Sequence, residues 1–174
     1  MRFVALLRGI NVSGRNMIPM AELRALCSEI GCSDVATYIN SGNVVFSSTA
    51  TAGDLENAIE RSITERFGHT ISVVVRSALE WPAYIEGNPF PKAEPRGVML
   101  ALSKQPPKSG ALKSLRERAV NGEKLEHVGD AIWIHYSTGI AKSKLSPALF
   151  DRAVGSPVTA RNWNTVLKIA DMLG

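Results

Sequence analysis

The chain has 174 residues, 45% hydrophobic and 21% charged, enough for one medium domain or two small ones with cores, which excludes a disordered chain, a collagen-like fibre and a disulfide scaffold. No apolar run approaches the ~20 residues of a membrane span, and the nearest candidate, Phe3 to Leu7, ends at Arg8 without a signal-peptide pattern. The net charge of +4 hides a split: residues 1–87 carry seven Arg, no Lys and nine acidic residues, whereas residues 88–174 carry 13 basic and seven acidic residues, all eight Lys among them.

Phe3 to Leu7 reads as an apolar strand, followed by a polar, glycine-containing stretch from Gly9 to Asn16. A helix is predicted from Pro19, which suits a first helical position because its missing N–H needs no partner. Met20, Leu23, Leu26, Cys27 and Ile30 continue at three- and four-residue spacing, and Gly31 ends the run. Val35–Ile39 and Val44–Phe46 read as strands joined through Asn40-Ser41-Gly42-Asn43, residues suited to tight turns. Thr51 and Asp54 have capping-box spacing ahead of a helix carrying Leu55, Ile59, Ile63 and Phe67, stopped by Gly68. Ile71–Val75 is a β-branched strand, so the order is βαββαβ. Ser77 and Glu80 then open a short connector ending at Gly87.

Asn88 to Pro95 is proline-rich and reads as a linker. Beyond it the order starts again. Val98–Leu102 is a strand, and Pro106-Pro107 introduces a helix with Leu112, Leu115 and Ala119 inward. Leu125–Val128 and Ala131–Tyr136 form a hairpin turning at Gly129-Asp130. Ser146-Pro147 opens a helix through Val154, Val158-Thr159 closes the sheet, and a last helix carries Trp163, Val166, Leu167, Ala170 and Leu173 on one face. The expected class is α+β, two sequential ferredoxin-like (split βαβ) units, antiparallel sheets with helices packed on them. The first is placed at 1–87 with the connector helix, the second at 88–174 with the C-terminal helix. No residue-by-residue repeat relates them.

Two long segments, Leu6-Leu-Arg-Gly-Ile-Asn-Val-Ser-Gly14 and Thr37-Tyr-Ile-Asn-Ser-Gly-Asn-Val-Val-Phe46, stand out together with Asn88-Pro-Phe-Pro91, Ser143-Lys-Leu145 and Thr159-Ala-Arg-Asn-Trp163. In this order they resemble the bacterial domain-of-unknown-function family sixteen-ninety-seven, over essentially the whole chain. The sequence departs from that pattern at Ser13 and Asn40, where Gly and Gln are expected. The resemblance implies the two-unit α+β fold and a cytosolic bacterial setting, and brings no activity.

Gly9 to Asn16 has the glycine spacing of a phosphate-binding loop after a strand, but Arg15 and Asn16 replace its Lys and Ser/Thr, and the helix starts late. A magnesium nucleotide site is therefore disfavoured, and an anion site using Arg8, Arg15 and backbone N–H groups is the better reading. The alternative is that Asn11, Ser13 and Asn16 tie the loop to itself. In a split βαβ unit the loop after strand one and the hairpin after strand two share one sheet end. That brings Arg8, Asn11, Arg15 and Asn16 towards Asn40, Ser41 and Asn43, with Tyr38 as a proton donor if it lines the same rim. A secondary basic site is placed at Lys142, Lys144, Arg161 and Asn162. Trp133 and His135, on one face of the hairpin strand 131–136, invite comparison with base-stacking sheets, although the Lys/Arg-Gly lead of such motifs is missing.

His69, His127 and His135 lack metal-ligand spacing, and no nucleophile elbow is present. Cys27 and Cys32 read as free thiols in a reducing cytosol. No metal or cofactor is expected, and no membrane contact. The favoured function is a cytoplasmic protein binding a phosphate-bearing small molecule or nucleic acid. An enzyme acting on a small anionic metabolite and a protein-interaction scaffold are the alternatives, and the oligomeric state stays open.

Overall fold

The computed structural model describes residues 1–174. The first half contains β1 (Arg2–Leu7), α1 (Met20–Glu29), β2 (Ser33–Tyr38), β3 (Asn43–Ser47), α2 (Ala52–Phe67), β4 (Val73–Ser77) and a connector, α3 (Trp81–Glu86). The second contains β5 (Val98–Ser103), α4 (Ala111–Arg116), β6 (Lys124–Val128), β7 (Ala131–His135), α5 (Pro147–Val154), β8 (Val158–Asn162) and α6 (Trp163–Leu173). Each half forms a four-stranded sheet, ordered β2-β3-β1-β4 and β6-β7-β5-β8, with every neighbouring pair antiparallel. These are two split βαβ units of the same topology, the expected α+β class.

In the first unit Phe3, Ala5 and Leu7 alternate onto the helix-covered face, where they join Leu23, Leu26, Leu55, Ile59, Ile63, Val73 and Val75. Val4 and Leu6 on the opposite face are equally buried. A strand buried on both faces reads as a continuous apolar run, as Phe3 to Leu7 does. Thr51 Oγ1 accepts from Asp54 N (3.2 Å) and donates to Asp54 Oδ2 (2.7 Å), and Gly68 ends α2 in the left-handed region. In the second unit Ile132, Ile134 and Tyr136 face the helices with Leu115, Leu125, Phe150 and Val154.

Several boundaries differ from expectation. Pro19 is the residue before α1, extended at φ −61° and ψ 135°, rather than its first helical residue. β2 begins at Ser33 because a bulge between Ser33 and Ala36, with Asp34 at φ 51°, lets it pair with β3 earlier. α4 starts at Ala111, after Gly110 at φ 83°, so Pro106-Pro107 lies in a loop and the helix is one and a half turns long. β8 extends to Asn162 because it pairs along β5 as far as Met99. On α6 the buried apolar residues are Val166, Ile169 and Leu173, with Thr165 buried beside them, while Leu167 is 39% exposed.

By internal contacts the chain divides into Met1–Pro82 with Ile169–Gly174, and Ala83–Lys168. The C-terminal residues return to the first unit, where Arg2 Nη2 donates to Met172 O (2.6 Å). The sequence order alone groups the whole of α6 with the second half, whereas its residues from Ile169 onward make their contacts with the first unit.

The duplication is visible at single residues once register is known. Arg76 sits opposite Val4 and Arg161 opposite Leu100, the same place in each sheet. Both are buried, and each donates from Nη1 to the carbonyl of the residue before it, Val75 and Ala160, at 2.9 Å.

Candidate functional site

The β1–α1 loop closes over one end of the first sheet. Its core is apolar: Ile10 and Ile18 are 1% exposed and belong to the unit's main cluster. Around that plug the backbone turns through left-handed positions at Gly9, Asn11, Ser13, Gly14 and Asn16, residues that tolerate positive φ. Asn11 holds the turn. Its Oδ1 accepts from Ile18 N (2.7 Å), and its Nδ2 donates to Ile18 O (3.0 Å) and to Asn40 O (2.8 Å). Asn16 Nδ2 donates to Gly9 O (3.0 Å), and Arg15 N to Val12 O (2.9 Å). The Asn11–Asn40 bond brings the loop and the β2–β3 hairpin together at one sheet end.

The hairpin is set by two residues. Asn43 is fully buried and donates from Nδ2 to Tyr38 O (3.0 Å) and Ser41 Oγ (3.1 Å). Gly42 has φ +83°, and its carbonyl accepts from Leu7 N (2.8 Å). A Cβ there would stand 2.7 Å from Leu7 Cβ and 2.9 Å from Ile10 Cδ1, so close approach as well as conformation requires glycine.

The charged members of this rim differ. Arg15 is exposed, and its guanidinium has no hydrogen-bond or ion-pair partner within the chain. Arg8 is half-buried and already engaged within the chain, its N–H donating to Ser72 O (2.9 Å). Tyr38 is half-buried and its hydroxyl has no hydrogen-bond partner, so no acid–base pair is assembled there. His69 joins this rim, a placement that the residues around it in sequence do not signal. It lies between α2 and β4, and its Nε2 donates to Met17 O (3.3 Å) in the tautomer protonated there. Only the pairing of Leu7 with Val73 places that loop beside the end of β1.

The proposed secondary basic group does not form one open patch. Lys142 and Lys144 are exposed, but Arg161 is 9% exposed and donates from Nη1 to Thr159 Oγ1 (2.8 Å). Burial pushes the Arg161 guanidinium down to about 10. Asn162 Oδ1 accepts from Thr165 N (3.0 Å), capping α6. The base-stacking comparison fails as well: Trp133 is fully buried, with Trp163 edge-on to it at a centroid distance of 5.6 Å. His135 lies instead against Phe90, at 5.6 Å.

The remaining motif segments perform local structural work. Asn88 Oδ1 accepts from Phe90 N (2.8 Å). Ser143 Oγ donates to Glu123 Oε1 (2.5 Å) and accepts from Leu145 N (3.1 Å). Burial raises the Glu123 pKa, but hydrogen bonds from Ser143 and from the Asn121 and Glu123 N–H groups outweigh it and hold the carboxyl below its usual range. All five motif segments therefore contain side chains bonded to their own chain.

The family model described as "Protein of unknown function (DUF1697)" matches residues 1–133. The chain belongs to this family. Among solved structures it is similar to a conserved bacterial protein from Streptococcus pneumoniae, with 25% identity and a TM-score of 0.78 over 99% of this chain and 98% of that one. No curated protein matches the sequence. The family match ends at residue 133, ahead of the Ser143–Leu145 and Thr159–Trp163 segments, and the solved relative shares the two-unit fold along its whole length. No helix is long and apolar enough to cross a membrane, and no group of His, Cys, Asp or Glu is arranged to hold a metal ion.

Proposed function

We propose that the protein is a cytosolic binding protein whose first-unit rim receives a phosphate-bearing anion, with Arg15 as the leading contact. The observation that carries this reading is an exposed, unpartnered Arg15 guanidinium on a loop whose backbone is held by Asn11 and Asn16. With the loop backbone already held, pairing with an anion costs only the arginine's side-chain freedom. Asn11 and Asn43 position the rim, because their amides are spent on the chain, while Arg8, Asn40 and Ser41 flank the contact. Free, buried Cys27 and Cys32 suit a reducing compartment.

Titrating inorganic phosphate and a mixed-sequence single-stranded RNA into the protein tests the site. Arg15→Ala is expected to weaken binding about tenfold to a hundredfold, the usual worth of a charged hydrogen bond. A steep fall of RNA affinity with salt identifies a polymer as the phosphate source. Unchanged affinity in Arg15→Ala for both probes overturns the rim assignment.

A further inference from the structure

The two units treat the same sheet end differently. In the first, the loop of residues 8–19 inserts Ile10 and Ile18 into the core. In the second, the corresponding loop spans residues 104–110 and places no side chain in the unit's apolar cluster. α4 is short as well. What remains is a cleft of about 670 Å³ bounded by Pro107 to Lys113, Arg116, Glu117 and His127. That volume lies within the range of small-molecule sites, ~300–1,000 Å³.

The lining is cationic with an apolar wall. Lys108, Lys113 and Arg116 are set against one carboxylate, Glu117, and His127 adds a titratable group. Arg116 is partly committed: its Nη2 donates to Leu125 O (2.7 Å) and lies 3.2 Å from Glu126 Oε2. No chain group pairs with the Lys108 or Lys113 ammonium. The loop is nevertheless anchored. Lys108 N donates to Val154 O (3.0 Å), and a Cβ at Gly155 would stand 3.2 Å from Lys108 Cδ, so the lysine stem lies against the end of α5. Pro107 and half-buried Leu112 supply apolar surface beside the two lysines.

From these features we infer that the second unit binds a phosphorylated small molecule in this cleft. Lys108 and Lys113 neutralise the phosphate, and the Pro107–Leu112 wall covers the ligand's apolar body. A nucleic acid backbone fits less well, because Glu117 and Glu126 interrupt any cationic track. The site is independent of Arg15.

The test uses the full-length, isotope-labelled chain titrated with phenyl phosphate and, separately, inorganic phosphate, followed by NMR. The expected result is saturable shifts at the Ser109, Gly110 and Ala111 amides and the His127 ring, with phenyl phosphate the tighter ligand. Lys108→Gln with Lys113→Gln should weaken both ligands roughly tenfold or more through loss of two charged contacts. Arg15→Ala should leave these shifts unchanged, which separates this cleft from the first-unit rim. Absence of saturable shifts at millimolar phenyl phosphate overturns the inference. So does affinity that survives the double lysine substitution in a variant with unchanged thermal unfolding. Equal affinity for the two probes removes the role given to the apolar wall.

Discussion

The two units share one topology but spend their loops differently. In the first, a long loop is drawn into the core, and the hairpin beside it is closed by Gly42 and Asn43. In the second, a two-residue turn at Gly129-Asp130 and a short loop leave that sheet end open. The helices differ in the same sense, α2 running 16 residues against 8 in α5. A split βαβ sheet therefore needs only its four strands and two covering helices. The end beyond β1 or β5 is free to be plugged or left as a cleft.

What the units keep in common concerns their sheet edges. An edge strand presents unpaired N–H groups that invite pairing with another chain. In the first unit, Glu60 Oε1 accepts from Val73 N (2.8 Å) and Glu56 Oε1 from Val75 N (2.9 Å), both from α2 onto β4. In the second, Asp151 Oδ1 on α5 accepts from Val158 N (2.9 Å) on β8. Val73 and Val158 occupy the same register, opposite Leu7 and Ser103. The opposite edges are reached by arginines, Arg24 Nη1 donating to Thr37 Oγ1 (2.8 Å) and Arg116 Nη2 to Leu125 O (2.7 Å).

The largest contrast is expected at the hairpin glycines. Gly42→Ala combines left-handed strain with overpacking against Leu7 and Ile10 and should cost about 3–5 kcal/mol. Gly129→Ala has φ 62° but nothing within 4 Å of its Cβ, so only the backbone term of ~1–2 kcal/mol remains. Denaturant titrations of both variants check the difference, and equal losses would remove the distinction between a plugged and an open end.

Next comes edge protection. Glu56→Ala, Glu60→Ala and Asp151→Ala each remove an acceptor from a strand N–H, at about 1–3 kcal/mol where that group stays dry. The double variant at Glu56 and Glu60 should also raise self-association, read by light scattering. Losses below the error of unfolding measurements would show that water replaces the carboxylates.

An effect absent at neutral pH is a loss of stability in alkali, contributed by buried groups in both units, chiefly Cys27, with Cys32 beside it, and Tyr136. Burial, then the charge of Cys32, raises the Cys27 thiol from 9.0 to about 12, and burial, then the charge of Glu123, raises Tyr136 from 10.0 to about 12. Above pH 9 for Cys27, and above pH 10 for Tyr136, the unfolded chain gives up a proton that the fold retains. Stability is therefore full below those values and falls as pH rises towards 12, by at most about 1.4 kcal/mol per unit for each group. Cys27→Ala and Tyr136→Phe should each flatten their share of that slope, measured by denaturation at successive pH values.

Much of this was legible in the primary structure. Apolar runs, glycine stops and the Thr51 and Ser146 caps placed the elements in order, because those signals act between residues close in sequence. Their order implied the split βαβ topology and hence the meeting of the β1–α1 loop with the β2–β3 hairpin, seen in the Asn11–Asn40 bond. The short α4 was not legible: Pro106-Pro107 signals a helix start, and only Gly110 reveals where the turn is completed. The matched Arg76 and Arg161 were hidden too, since the sequences around them differ and only strand register aligns them.

The charge contrast at residue 88 distinguishes the two halves but locates no site. Local composition determined the elements, their order and the candidate cations. Which cations are spent and which are presented was decided by tertiary structure, since a side chain's partners come from distant segments. Burial removes Arg161 from the surface and the fold engages Arg8, while Arg15, Lys108 and Lys113 face no partner. The cleft beside the two lysines has the same origin: it is the space that a shorter loop and helix leave at the end of a sheet.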